Sequence, residues 1–317
     1  MEKTVFLFAG QGAQYAGMGT DLYTQNKTFK NIIDESGEYL KTDLLSICED
    51  AEKQKKTQNA QAAIFSVSYG IYKILEENKI IPDCAAGFSM GEITSFAAAG
   101  VLNFRDALKL IKIRGEAMDQ ACEKTPGEMC GIIGAEDKVI EDICEKISKT
   151  TGYIIPANYN CPGQVVISGE IKAINEAVSI FNELKIKTIK LNTAGAFHTK
   201  IMEYKIYDLI NFLNTLKYKK PEFDLYSNLS GDKLNFSNNK NEDEIKKFFT
   251  GYITKQMTNP VKFKQELENM EAEKYINFIE IGPGKTLSGF VKRTCKNAKT
   301  INIQNCETLN STLECFT

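Results

Sequence analysis

The chain has 317 residues, 43% hydrophobic and 25% charged, enough for one large or two modest domains that need no disulfide or metal staple. Its 39 Lys and Arg against 41 Asp and Glu leave a net charge of −2, which excludes the basic excess of a general nucleic-acid binder. There is one histidine, His198, so multi-histidine metal centres are excluded and imidazole chemistry is confined to a single residue.

Residues 4–9 are a continuous apolar run ending at a glycine, the pattern of a buried parallel strand rather than of a signal peptide. Residues 29–47 and 59–77 have helical spacing, residues 80–87 read as a short strand, and 92–99 and 104–122 as helices. Strands alternating with helices predict an α/β layer architecture. Residues 127–192 change the rhythm. Strand 128–134 is followed by helix 136–149, with Val139, Ile143 and Ile147 on one face; strands 153–157 and 164–168, helix 171–184 and strand 188–191 complete the segment. The order β-α-β-β-α-β is that of a ferredoxin-like unit. It predicts a small subdomain at 127–192 inserted into a catalytic core made of 1–126 and 193–317. Beyond it, 199–216 is expected to be helical, 235–247 a solvated polar loop entering a helix, and 275–281 a strand followed by GPGKT.

The nine cysteines form no CxxC pair, as expected of free thiols in a reducing cytoplasm. The longest uncharged stretch, 150–169, contains Pro156, Asn158, Asn160, Pro162 and Gln164 and is no membrane span.

The sharpest motif is Gly87-Phe88-Ser89-Met90-Gly91, a G-x-S-x-G at a strand-to-helix junction. Such a turn holds its serine in a strained conformation with the hydroxyl exposed above the sheet, which makes Ser89 the candidate nucleophile. His198 is the one imidazole available as its base. Which group orients His198 is open, because many carboxylates are in range. Gly10-Gln11-Gly12 follows the first strand, but Tyr15 stands where a dinucleotide fingerprint needs its third glycine. The alternative is a backbone donor: acyl transfer wants two N–H groups on its oxyanion, and Met90 and Gln11 fit. GPGKT at 282–286 fails as a phosphate loop because Ile279 occupies the required glycine position. Arg114, within helix 104–122, is expected by default to be exposed; if it reached the serine, its fork could bind a carboxylate through two hydrogen bonds.

Taken together, FAGQGAQYAGMG, QNAQAAIFSVSYGIY, GFSMGE, AAAGVLNFRDALKLIKIRGEAM, NYNCPGQVVISG, AFHTKIM, KQMTNPVKF and IEIGPGKTLSGFVKR resemble the malonyl-CoA:acyl carrier protein transacylases of fatty-acid synthesis and their polyketide-synthase relatives. The resemblance covers about residues 5 to 292. It implies an α/β-hydrolase-like core with an inserted ferredoxin-like subdomain. By position, Ser89 resembles the acyl-accepting serine, His198 its base, Gln11 and Met90 the oxyanion donors, and Arg114 the partner of malonate's free carboxylate. Gln256 resembles the glutamine whose main-chain carbonyl holds the histidine. Phe88 departs from the family's usual histidine before the serine, and the AFH of residues 196–198 resembles the malonyl-type acyltransferases.

The resemblance implies malonyl-CoA and acyl carrier protein as substrate and partner, no metal or redox cofactor, no nucleic acid and no membrane. Lys185, Lys187, Lys190 and Lys200 are the candidate contacts for an acidic carrier protein. A discrete acyltransferase serving a polyketide synthase, or an acyl hydrolase or thioesterase, would use the same Ser-His pair. A nucleotide-binding scaffold around GPGKT is the non-enzymatic alternative.

Overall fold

The computed structural model describes residues 2–204, 206–235 and 241–316. The first strand, β1 (Lys3–Phe8), sends Phe6 and Phe8 into one apolar cluster and Val5 and Leu7 into another, so both faces of its sheet are covered. The helices α1 (Thr20–Gln25), α2 (Lys27–Leu40), α3 (Leu44–Glu49) and α4 (Thr57–Glu77) follow. The helix expected over 29–47 is thus two. Lys41 takes a left-handed φ of 53° that ends α2, and the Asp43 side chain accepts from Ser46 N–H to start α3. The strand expected over 80–87 is confined to β2 (Cys84–Gly87), because left-handed Lys79 terminates α4 and Ile80 N–H folds back onto Leu75 O. Next come α5 (Met90–Ala98) and α6 (Phe104–Lys124).

The middle of the chain supplies β3 (Gly127–Ile133), α7 (Asp137–Thr150), β4 (Ile154–Cys161), β5 (Gln164–Glu170), α8 (Ile171–Glu183) and β6 (Lys187–Lys190). In α7 the buried stripe is Ile140, Cys144 and Ile147, while Val139 is 39% exposed. The observed set spans about 60° of the helix circumference and the expected one about 80°, so the observed set lies flatter against the sheet.

Thr199–Leu216 does not form one helix. The Thr199 side chain caps a 3₁₀ turn at Lys200–Glu203, Tyr204 is extended, and α9 covers only Ile206–Leu213. After β7 (Asp224–Leu225), part of the expected polar stretch, residues 236–240, lies outside the described residues. Its end enters α10 (Glu242–Thr258) through a capping box between Asn241 and Glu244. The chain closes with α11 (Phe263–Ala272), β8 (Tyr275–Ile281), α12 (Thr286–Thr294), β9 (Lys299–Ile303) and α13 (Cys306–Phe316).

Two sheets result. The larger has the order β7-β2-β1-β8-β9 with every pair parallel; the smaller has the order β4-β5-β3-β6 with every pair antiparallel. Because β2 lies on one side of β1 and β8 on the other, the sheet has a switch point, where a ligand site is expected beyond the carboxyl ends of the strands. Phe8 pairs with both Gly87 and Ile281 there. The smaller sheet is two-faced. Cys130, Ile132, Val165 and Ile167 pack with α7 and α8, whereas Met129, Ile133 and Val166 face a cavity between the sheets. The two parts are tied by the exchange of Tyr159 N–H to Val261 O and Val261 N–H to Ala157 O, each 2.8 Å. No described helix is long and apolar enough to cross a membrane.

Phe181, fully buried on α8, anchors the cluster beneath the small sheet. Phe181→Ala should cost about 3–5 kcal/mol, read as a lower urea midpoint for the transition that exposes this cluster.

Candidate active site

Only Phe88 and Ser89 separate β2 from α5, so the chain must reverse within two residues. Ser89 takes φ 56° and ψ −109°, a conformation that costs a non-glycine residue about 1–3 kcal/mol. The flanking glycines make the turn possible. A Cβ on Gly87 would lie 2.0 Å from Gly91 O, and one on Gly91 2.2 Å from Phe8 O. Gly10 lies equally close from the other side, where a Cβ would meet Phe88 O at 2.4 Å.

Ser89 Oγ is 2.6 Å from His198 Nε2. The other ring nitrogen, Nδ1, lies 3.1 Å from Gln256 O and 3.2 Å from Asn259 O. Carbonyls only accept, so Nδ1 carries the ring proton and Nε2 presents its lone pair to the serine hydroxyl. No carboxylate among the described residues bonds the ring. Burial, aided by the Arg114 charge and opposed by the two carbonyls, pushes the imidazole down to about 3. The His198 ring is therefore neutral throughout the physiological range.

Arg114 is fully buried, against the default expectation of an exposed arginine. Its place in the stripe Ala107, Ile111, Arg114, Met118 and Ala121 explains this, for α6 turns that face inward. The guanidinium donates to Ser89 Oγ (3.1 Å), Gln256 Oε1 (3.2 Å) and Gln61 Oε1 (2.9 Å), and its Nε has no partner among the described residues. No carboxylate lies within ion-pair distance among the described residues. Burial pushes the nearby Glu92 up to about 8, against the pull of hydrogen bonds from Tyr252 and Asn228 and of the Arg114 charge. The hydrogen-bond partners of this buried guanidinium are thus all neutral.

Ser89 and His198 line a cavity of about 480 Å³ together with Gln11, Phe88, Met129 and Asn160. Gln11 follows β1 and is fixed through Oε1, which accepts from Gln61 Nε2 at 3.0 Å. Met90 is the first residue of α5, so helix geometry leaves its N–H without an intrahelical partner. Phe88 sits edge-on to Phe263 and tilted against Phe290, an apolar packing that makes no demand for a hydrogen bond. Lys185 and Lys187 are exposed, Lys190 pairs with Glu128 at 2.6 Å, and Lys200 lies over the Tyr153 ring.

Gln61, Asn228 and Asn259 were not legible as site residues. Gln61 and Asn259 lie within the segments QNAQAAIFSVSYGIY and KQMTNPVKF but carry no chemical signature, and Asn228 sits in a loop whose approach to Ser89 is a product of the fold. Among the described residues no group of three or more His, Cys, Asp or Glu is placed to hold a metal ion.

The profile of the acyl transferase domain family matches residues 5–311. A malonyl CoA-acyl carrier protein transacylase of Bacillus subtilis (strain 168) is 35% identical over 317 residues, covering 99% of this chain and 97% of that one. The crystal structure of MCAT from Streptococcus pneumoniae superposes with a TM-score of 0.90 at 37% identity, covering 98% of this chain and 99% of the other. A malonyl-transacylase solved in complex with a type II PKS acyl-carrier protein superposes with a TM-score of 0.91 at 27% identity, again covering 98% and 99%.

The depressed imidazole sets a pH signature. An ordinary histidine loses its basic form as pH falls through 6.5, whereas His198 keeps it until about 3. Phosphonylation of Ser89 by a fluorophosphonate should therefore show no inflection between pH 8 and pH 5. A half-maximal rate near 6.5 would contradict the depression of the imidazole by its burial.

Proposed function

Because the chain belongs to the acyl transferase domain family, we propose that it moves the malonyl group of malonyl-CoA to the phosphopantetheine thiol of acyl carrier protein, through a malonyl ester on Ser89. The observation that carries the choice of acyl group is Arg114, a buried cation 3.1 Å from the serine oxygen that bonds no carboxylate among the described residues. Malonate supplies the carboxylate it lacks. A plain acyl group would leave the charge buried and unpaired, at a cost of several kcal/mol.

In the proposed mechanism Ser89 Oγ attacks the thioester carbonyl as its proton passes to His198 Nε2. The new C–O bond leaves a tetrahedral oxyanion on the N–H groups of Gln11 and Met90. Its collapse breaks the C–S bond, and the imidazolium returns the proton to the departing CoA sulfur. The carrier thiol then enters, gives its proton to His198 and attacks the ester carbonyl. Ser89 leaves as the alkoxide and is reprotonated by His198. The carbonyls of Gln256 and Asn259 hold the ring throughout. The scheme needs no metal or redox cofactor.

The same reading divides the chain into an α/β-hydrolase-like core, 1–126 and 193–317, and a ferredoxin-like insert, 127–192. The parallel sheet with its serine elbow supports the first, and the β-α-β-β-α-β order with antiparallel pairing supports the second. The proposal sets the enzyme in the cytoplasm, in keeping with nine unpaired cysteines. A carrier protein of polyketide rather than fatty-acid synthesis is a second reading, favoured by the likeness to the transacylase solved with a type II PKS carrier.

Incubation with malonyl-CoA should add a malonyl mass to the Ser89 peptide, and His198→Ala should abolish that adduct. Arg114→Ala should lower kcat/KM for malonyl-CoA by about one to two orders of magnitude, the worth of a charge-assisted pair, with a smaller effect on acetyl-CoA. Equal losses for both esters would remove the carboxylate role. For the carrier, Lys185→Glu with Lys187→Glu should raise KM for acyl carrier protein and leave that for malonyl-CoA unchanged; parallel changes in both would sink this docking face.

A further inference from the structure

The peptide groups on both sides of Ser89 are held by side-chain amides. Ser89 N–H donates to Asn228 Oδ1 at 2.8 Å, and Ser89 O accepts from Gln256 Nε2 at 2.6 Å. The partners leave no choice in how either amide is turned. Asn228 Nδ2 faces two acceptors, Gly87 O and Glu266 Oε1, each at 2.8 Å, so its oxygen must face Ser89 N–H. Gln256 Oε1 faces the Arg114 guanidinium, which only donates, so its nitrogen must face the Ser89 carbonyl. Both amides are fully enclosed, where a hydrogen bond is strong and a lost one is costly.

The Ser89 carbonyl belongs to the same rigid plane as the Met90 N–H, and in a trans peptide the two point in opposite directions. Fixing the oxygen therefore fixes the direction of the N–H. Donation to the oxygen also polarises the peptide and strengthens its N–H as a donor. We propose that the side-chain amides of Asn228 and Gln256 form a clamp on Ser89 that aims the Met90 N–H at the developing oxyanion. The inference rests on the acyl-transfer reading of Ser89 and Met90. It gives the Gln256 side chain a positioning role separate from its main-chain carbonyl, which faces His198.

Gln256→Met tests the clamp, since it removes the amide and keeps that carbonyl. Single-turnover acylation of Ser89 should slow about tenfold or more, a substantial part of what loss of one oxyanion donor costs. The loss should be similar for malonyl-CoA and for p-nitrophenyl acetate, which has no carboxylate for Arg114, and the pH profile should not move. The carbonyl stretch of an isotope-labelled acyl-serine should shift upward as its hydrogen bond weakens. If Gln256→Met does not fold, Gln256→Glu keeps the oxygen toward Arg114, removes the N–H toward Ser89 and should slow p-nitrophenyl acetate by the same factor. Rates within twofold of the wild type would overturn the clamp. So would a loss confined to malonyl-CoA, which points to Arg114, or a moved profile for Gln256→Met, which points to His198. Wild-type enzyme acylated by p-nitrophenyl acetate but not by malonyl-CoA would reject the malonyl reading and leave the clamp to be judged on the acetate rates.

Discussion

Three stretches of backbone meet beyond the carboxyl ends of β1 and β2 with no room for a Cβ on Gly10, Gly87 or Gly91. The rest of the site depends on that approach. It forces the reversal that puts Ser89 at positive φ, brings the residues after β1 alongside the proposed nucleophile, and starts α5 at Met90. A conformation this unfavourable persists only where its surroundings over-determine it. Here they do so with polar groups. The buried Asn228 satisfies the Gly87 carbonyl and the Ser89 N–H together, and its own N–H donates to Glu92. Placing so many polar atoms under the elbow is costly unless each finds a partner, and most do.

The electrostatics follow from burying a guanidinium beside an imidazole. Burial, and after it the Arg114 charge, lowers the imidazole, and the guanidinium bonds no carboxylate among the described residues. A carboxylate behind His198 would stabilise the imidazolium, but it would also place a second anion close to a cation whose proposed task is to hold the substrate's own. Backbone carbonyls orient the ring and leave the Arg114 charge uncancelled. The pair Gln256 O and Asn259 O thus orients the imidazole without placing a further anion beside Arg114.

The sequence patterns carried the central features of this arrangement. The glycine spacing around Ser89 announced the elbow because the steric demand is local, and a single histidine left one candidate base. The interior position of Arg114 was also present, in the repeat of Ala107, Ile111, Met118 and Ala121 around it, but an arginine in such a stripe reads as an exception until its partners are seen. Helix ends were less legible. Lys41 and Lys79 adopt left-handed conformations usually left to glycine or asparagine, so nothing in their side chains marks the breaks. Asn228, 139 residues from Ser89 in the chain, had no local signature at all. Its role exists only once β2 and the loop after β7 are side by side.

The smaller sheet divides its labour by parity. Along β3 and β5, alternate residues build a private core with α7 and α8, while those between them line the cavity and, at Met129 and Val166, also join the main apolar core. An exchange in the second set therefore acts on the cavity wall and, at Met129 and Val166, on the main core together. The cavity wall on this sheet is thus tied to the packing of the larger core, just as the serine elbow on the other sheet is tied to its glycines.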